Sequence, residues 1–234
     1  MGNPKYPGWT SANGPNWIDY LTVKYNASLL LTYNLAFGGA TIDSTLVAPY
    51  LPIVSSVSEQ VEKLWFPTYA KSSATWSSDD TLFAFFDGIN DVGNSWWNGP
   101  EANSQLYAKI FSVWRHLVDE LYNQGARNFA FLNVPPVDRS PLVLANTPDQ
   151  QEVENAAILY WNDLIIQLAT DVKQAFPDTN IFIADAWKVF TEVLDNPKSY
   201  AATANLMNTT GYCTAYQKYF CPSTWNIDVA ANNK

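Results

Sequence analysis

The 234 residues carry 13 Lys+Arg against 22 Asp+Glu, a net charge of −9, with 47% hydrophobic and 15% aromatic residues. This is core material for one medium α/β domain and excludes a disordered chain, while the acidity argues against nucleic acid and anionic membrane surfaces as partners. One His and two Cys leave no ligand set for a zinc ion and allow a single imidazole as general base, so no metal is expected.

In chain order, the pattern predicts a short helix over Asn16–Tyr25 and a strand over Leu29–Tyr33. That strand runs into Asn34-Leu35-Ala36-Phe37-Gly38-Gly39-Ala40. Apolar residues at Leu51, Val54, Val57, Val61 and Leu64 give Pro49–Phe66 a broken helical period. Thr81–Phe86 is continuously apolar, as a strand buried on both faces should be. It is followed by a cluster of turn formers, Asp87-Gly88-Ile89-Asn90-Asp91.

A helix is predicted over Glu101–Gln124, stopped by Gly125, and a strand over Asn128–Val134, stopped by Pro135-Pro136. Thr147-Pro148-Asp149-Gln150 has the form of a capping box with Pro in the first turn. It opens a helix expected to reach Phe176. Asn180–Ala184 reads as the last strand and Trp187–Leu194 as a short helix, with an aperiodic remainder. Alternating strand and helix periods imply βαβ units and a parallel sheet, in one domain covering residues 1–234. A doubly wound chain that begins with a helix is one strand short, because a central first strand normally carries the key loop.

Met1 is followed by polar, turn-forming residues and no apolar run reaches membrane-spanning length, which taken alone points to the cytoplasm. Two glycosylation sequons, at Asn26 and Asn208, point to secretion. So do Cys213 and Cys221, which are close enough in sequence to be bridged.

In open parallel sheets, ligands bind at the carboxyl ends of strands. The loop after the first predicted strand holds Gly38-Gly39, whose backbone can approach a ligand closely. The loop after the second holds Asn90, whose amide can donate to a developing oxyanion. Each alone is an ordinary turn residue; on adjacent loops of one sheet they become a candidate anion-stabilising pair. Trp9, Trp96 and Trp97 are candidate stacking platforms for sugar rings, with packing of a long loop as the alternative. Asp79-Asp80 precede a strand and read as a solvated turn. His116 falls off the apolar stripe of its helix and points toward solvent or a boundary.

Three blocks resemble the SGNH/GDSL hydrolase superfamily: Asn34–Thr41, Gly88–Ser95 and Phe131–Pro136. The nearest likeness is to fungal acetylesterases of the sixteenth carbohydrate esterase family. The resemblance implies a flavodoxin-like three-layer α/β/α fold and a carboxylester hydrolase acting on acetylated, hemicellulose-derived oligosaccharides or other small esters. It implies no cofactor and an extracellular location. Gly39 and Asn90 match the family's oxyanion-hole positions. The family's Gly-Asp-Ser and Asp-x-x-His do not occur in these residues. The expectation is therefore a domain incomplete at both ends, lacking its first strand and inactive as written. The alternative is a non-catalytic carbohydrate-binding protein on the same scaffold.

Overall fold

The computed structural model describes residues 15–70, 76–206 and 208–211. They fall into two compact units: residues up to Leu35 with those from Val193 onward, and Ala36–Glu192.

In the first unit, the Asn16 side chain accepts the Ile18 and Asp19 N–H groups while the Asp19 carboxylate accepts the Asn16 N–H. This capping box starts a helical turn, Trp17–Asp19, that widens into a π-helical stretch, Tyr20–Lys24. The strand expected over Leu29–Tyr33 is not formed. The segment is irregular, with Leu29 86% and Leu31 67% exposed. An apolar run becomes a strand only where a neighbour offers ladder hydrogen bonds, and this segment has no ladder partner among the described residues.

The second unit is built on a parallel sheet, β1 (Leu82–Phe85), β2 (Asn128–Leu132) and β3 (Asn180–Ala184), in that spatial order. Phe85, Phe131 and Ile183 lie in register, as do Phe83, Phe129 and Ile181, so both rows point to one face. Two long helices, Pro100–Asn123 and Pro148–Ala175, pack there. Trp114 meets the Phe85 and Phe131 rings edge-on, and Trp161 meets Tyr107 and Phe111 likewise. Trp114, Trp161, Phe129 and Phe131 are all fully buried. The opposite face, carrying Leu82, Ala84 and Phe182, stays open, with Leu82 54% and Phe182 56% exposed. The described sheet thus holds three strands rather than four, in the α/β class with the parallel order expected.

Element ends follow their chemistry. Thr147 and Gln150 close the capping box as predicted. The predicted strand over Asn128–Val134 ends at Leu132, because Asn162 on the long helix takes over the next backbone groups: its Oδ1 accepts the Val134 N–H at 2.8 Å and its Nδ2 donates to Val134 O at 2.9 Å. The helical period read from Pro49 becomes helix only at Val57, behind an Ser56–Glu59 capping box, since the prolines at 49 and 52 have no N–H to donate.

Candidate active site

The carboxyl end of β1 leads into Gly88, which sits at φ 111° with the Trp161 indole packed against its Cα. Any Cβ there meets the indole nitrogen and ring, so the turn admits glycine alone. What the sequence presents as a cluster of turn formers is a short helix, Ile89–Gly93, that begins at this sharp turn. Asn90 and Asp91 therefore point from one rigid turn rather than from a loose loop.

Both reach the segment Gly39–Ile42. The Asn90 amide donates from Nδ2 to Ala40 O at 2.9 Å. The fully buried Asp91 carboxylate accepts the Ile42 N–H, at 3.1 Å to Oδ1 and 3.2 Å to Oδ2. Further hydrogen bonds hold the same segment from its other side: Val57 N–H to Thr41 O at 2.9 Å, and Ser58 N–H and Oγ to Ile42 O at 3.0 and 2.9 Å. Ser95 Oγ donates to Asp91 O at 2.6 Å and lies 3.1 Å from the Tyr107 hydroxyl, which ties the short helix to the Pro100–Asn123 helix.

The two glycines and Asn90 that the sequence singled out are thus neighbours. Gly39 takes φ 90°, and the exposed Tyr50 ring lies where its Cβ would be. Among the described residues no acceptor takes the Gly39 N–H, and Asn90 commits one of its two amide hydrogens to Ala40. Donors of this kind, fixed before any substrate arrives, stabilise charge on an oxygen without reorganising.

Charge is arranged unusually beneath them. Burial pushes the Asp91 carboxyl up to about 8, against the opposing pull of the Ile42 N–H, with Asp87 adding to the rise. Burial likewise pushes Asp87 up to about 7. Both carboxyls therefore keep a proton to higher pH than an ordinary carboxylate does, which lessens the negative charge in the turn that carries Asn90.

The remaining candidates divide. Trp96 is half-buried and Trp97 is 59% exposed, with ring centroids 5.7 Å apart at 76°, so they form a corner and offer one open ring rather than a flat pair. His116 is exposed on the Pro100–Asn123 helix, as its position off the apolar stripe implied. Asp79 and Asp80 lie in an exposed turn where Ser77 Oγ donates to Asp80 Oδ1 at 2.7 Å. Trp9, Cys213 and Cys221 lie outside the described residues. Asn26 is half-buried and donates from Nδ2 to Ser28 O at 2.9 Å. Asn208 is exposed, and its Oδ1 accepts the Thr210 and Gly211 N–H groups at 2.8 Å each.

Sequence reasoning missed Asp91, Tyr50 and Asn162. Asp91 had a readable signal: a carboxylate one residue past Asn90, behind a buried strand, has to find donors or a proton. The contacts of Tyr50 and Asn162 are long-range and had none.

A family model described as GDSL-like lipase/acylhydrolase matches residues 2–218. The chain is 40% identical over 208 residues to an acetylesterase of Thermothelomyces thermophilus, covering 86% of this chain and 67% of that protein. It is 27% identical over 190 residues to a thermolabile hemolysin of Vibrio parahaemolyticus, covering 81% of this chain and 40% of the relative. A GDSL esterase/lipase of Arabidopsis thaliana is 23% identical over 158 residues, covering 62% of this chain and 41% of its own length.

Proposed function

The chain belongs to the GDSL-like lipase/acylhydrolase family of ester hydrolases, and we propose that residues 1–234 carry the charge-stabilising half of that chemistry without its nucleophile and base. In this reading Gly39 N–H and the second N–H of Asn90 form an oxyanion hole, and the ester is an acetylated, hemicellulose-derived saccharide met outside the cell. The observation that carries it is the 2.9 Å bond from Asn90 to Ala40 O, which brings the two donor loops to one place.

Hydrolysis of an ester needs an activated hydroxyl and a proton acceptor as well. The sole imidazole, His116, is exposed on a helix, and Ser95, the serine nearest Asn90 in the chain, is buried and spends its hydroxyl on Asp91 O. Neither Gly-Asp-Ser nor Asp-x-x-His occurs in the sequence. This chain by itself then binds the ester and leaves it intact. Asn26 and Asn208 are glycan acceptors in the extracellular reading.

A non-catalytic carbohydrate-binding role is the second reading, favoured by the open face of Trp97 beside the Asn90 helix. Calorimetric titration with an acetylated xylo-oligosaccharide tests the shared part of both. Binding that is lost in the Trp96→Ala/Trp97→Ala double variant supports the saccharide reading, and no heat at millimolar ligand overturns it. Equal affinity for the deacetylated oligosaccharide would favour the binding role, because the oxyanion donors have no ester to recognise there.

A further inference from the structure

A single exposed aromatic ring is ordinary on a protein surface; Tyr50 is set apart by where it is held. Its ring, 68% exposed, occupies the place where a Cβ on Gly39 would stand. Cε1 and Cδ1 crowd that place while Cζ lies 3.7 Å from it, so the ring meets Gly39 by one edge and leaves face area open to solvent. A Cβ position is about 2.5 Å from its own backbone nitrogen, which puts the ring edge within about 5 Å of the Gly39 nitrogen. Glycine at φ 90° is what permits this approach.

The segment that carries the ring is tied down on both sides of the donor pair. Thr41 Oγ1 donates to Val47 O at 2.8 Å, and the Leu46 and Val47 N–H groups reach Asp43 O at 3.1 and 3.0 Å, which folds the chain back just past Ile42. Asn94, which ends the Ile89–Gly93 helix, donates from Nδ2 to Ala48 O at 3.3 Å. Ala48 stands two residues before Tyr50, and Pro49 between them fixes one backbone dihedral. The short helix that carries Asn90 thus also anchors the segment that carries the ring.

We propose that Tyr50 is a specificity-determining residue of this site, a platform on which the sugar ring bearing the acetyl group stacks while the ester carbonyl lies at the Gly39 N–H and the Asn90 amide. This rests on the ester reading above and adds what the chain selects beside the acetyl group. In an acetate ester, the sugar carbon that bears the ester oxygen is three bonds from the carbonyl oxygen. A sugar whose carbonyl is seated on the donors therefore lies beside the Tyr50 ring. The acetyl side offers only a methyl group, whereas a pyranose presents a face of C–H groups that packs flat on the electron-rich face of an aromatic ring.

The test is a calorimetric and proton NMR titration of the chain with an acetylated xylo-oligosaccharide. In the unmodified chain, sugar C–H protons should shift upfield on binding, under the ring current of Tyr50. Tyr50→Ala should weaken binding about tenfold and remove that shift at saturation, while Tyr50→Phe keeps the affinity to within about twofold and retains the shift. Neither variant disturbs the hydrogen bonds that hold the segment, because none of those named uses the Tyr50 side chain. Affinity and shift unchanged in Tyr50→Ala would overturn the platform and leave the donor pair standing. No binding by the unmodified chain would overturn the saccharide reading and the platform with it. Tighter binding of methyl octanoate than of the oligosaccharide, lost in Tyr50→Ala, would also overturn the platform, since the ring would then wall an acyl-chain groove.

Discussion

The Asp91 carboxylate holds the Ile42 amide with both oxygens, at 3.1 and 3.2 Å, and so joins two segments 49 residues apart. Ile42 is itself fully buried, so water cannot replace the lost acceptor. Asp91→Ala leaves a buried N–H unpaired and should cost about 2 kcal/mol of stability. Asp91→Asn keeps a carbonyl acceptor and should cost about 1 kcal/mol or less. Urea denaturation gives both numbers. Ile42 amide exchange should quicken in the Ala variant and stay slow in the Asn variant.

Burial raises four carboxyls above their unfolded values: Asp138, Glu154 and Asp87, the last two to about 7, and Asp91, to about 8. The folded chain thus binds more protons than the unfolded chain from the ordinary carboxylate range upward. The stability from these groups is fully present below that range and is lost as pH rises through about 7 and then about 8. Glu59, Asp80 and Asp178 act in the opposite sense, lowered by Lys63, the Ser77 hydroxyl and the Tyr122 hydroxyl in turn, but Glu59 is only half-buried and the other two are exposed, so they count for little. The melting temperature should therefore be highest in mild acid, near pH 5, and fall toward pH 9 as the folded state loses stability on the order of a few kcal/mol. A melting temperature that rises over the same interval would contradict this assignment.

Gly88 and Trp161 form the tightest backbone approach beneath the site. Gly88→Ala places a methyl into the indole while holding an L-residue at φ 111°, so two costs add. The expected loss is about 3 kcal/mol, from strain in the left-handed region and overpacking together. Trp161 fluorescence should shift to the red as the ring is displaced. Gly38→Ala, where a Cβ meets nothing within 4 Å, is the control and should change stability little.

Much of this was open to sequence reading where signals are local. The Thr147 capping box, the period of the two long helices and the apolar runs of β1 and β3 all depend on residues within a few positions of one another. Asn90 was singled out as lying beyond a strand, and it does follow β1, whereas Gly39 was singled out as lying beyond a strand at Leu29–Tyr33 that is not formed. Failures came where a partner is distant or missing. Leu29–Tyr33 has strand composition and forms no strand among the described residues. The Val134 strand extension was lost to Asn162, 28 residues on. Ser56-Val57-Ser58-Glu59 did carry a local helix-start signal, which the apolar period running back to Leu51 obscured. Asp138 and Glu154 look like surface charges in sequence, because burial of an acid is decided by packing alone.

In the proposed function the Gly39 N–H and the Asn90 amide are oxyanion donors without an activated hydroxyl or a proton acceptor beside them. Turnover of p-nitrophenyl acetate by the purified chain tests it most directly, read with and without a fluorophosphonate. Hydrolysis should run at the buffer rate, unchanged by the reagent and by Asn90→Ala, with no labelled serine in the mass spectrum. Turnover above background that stops when one serine is labelled would contradict it.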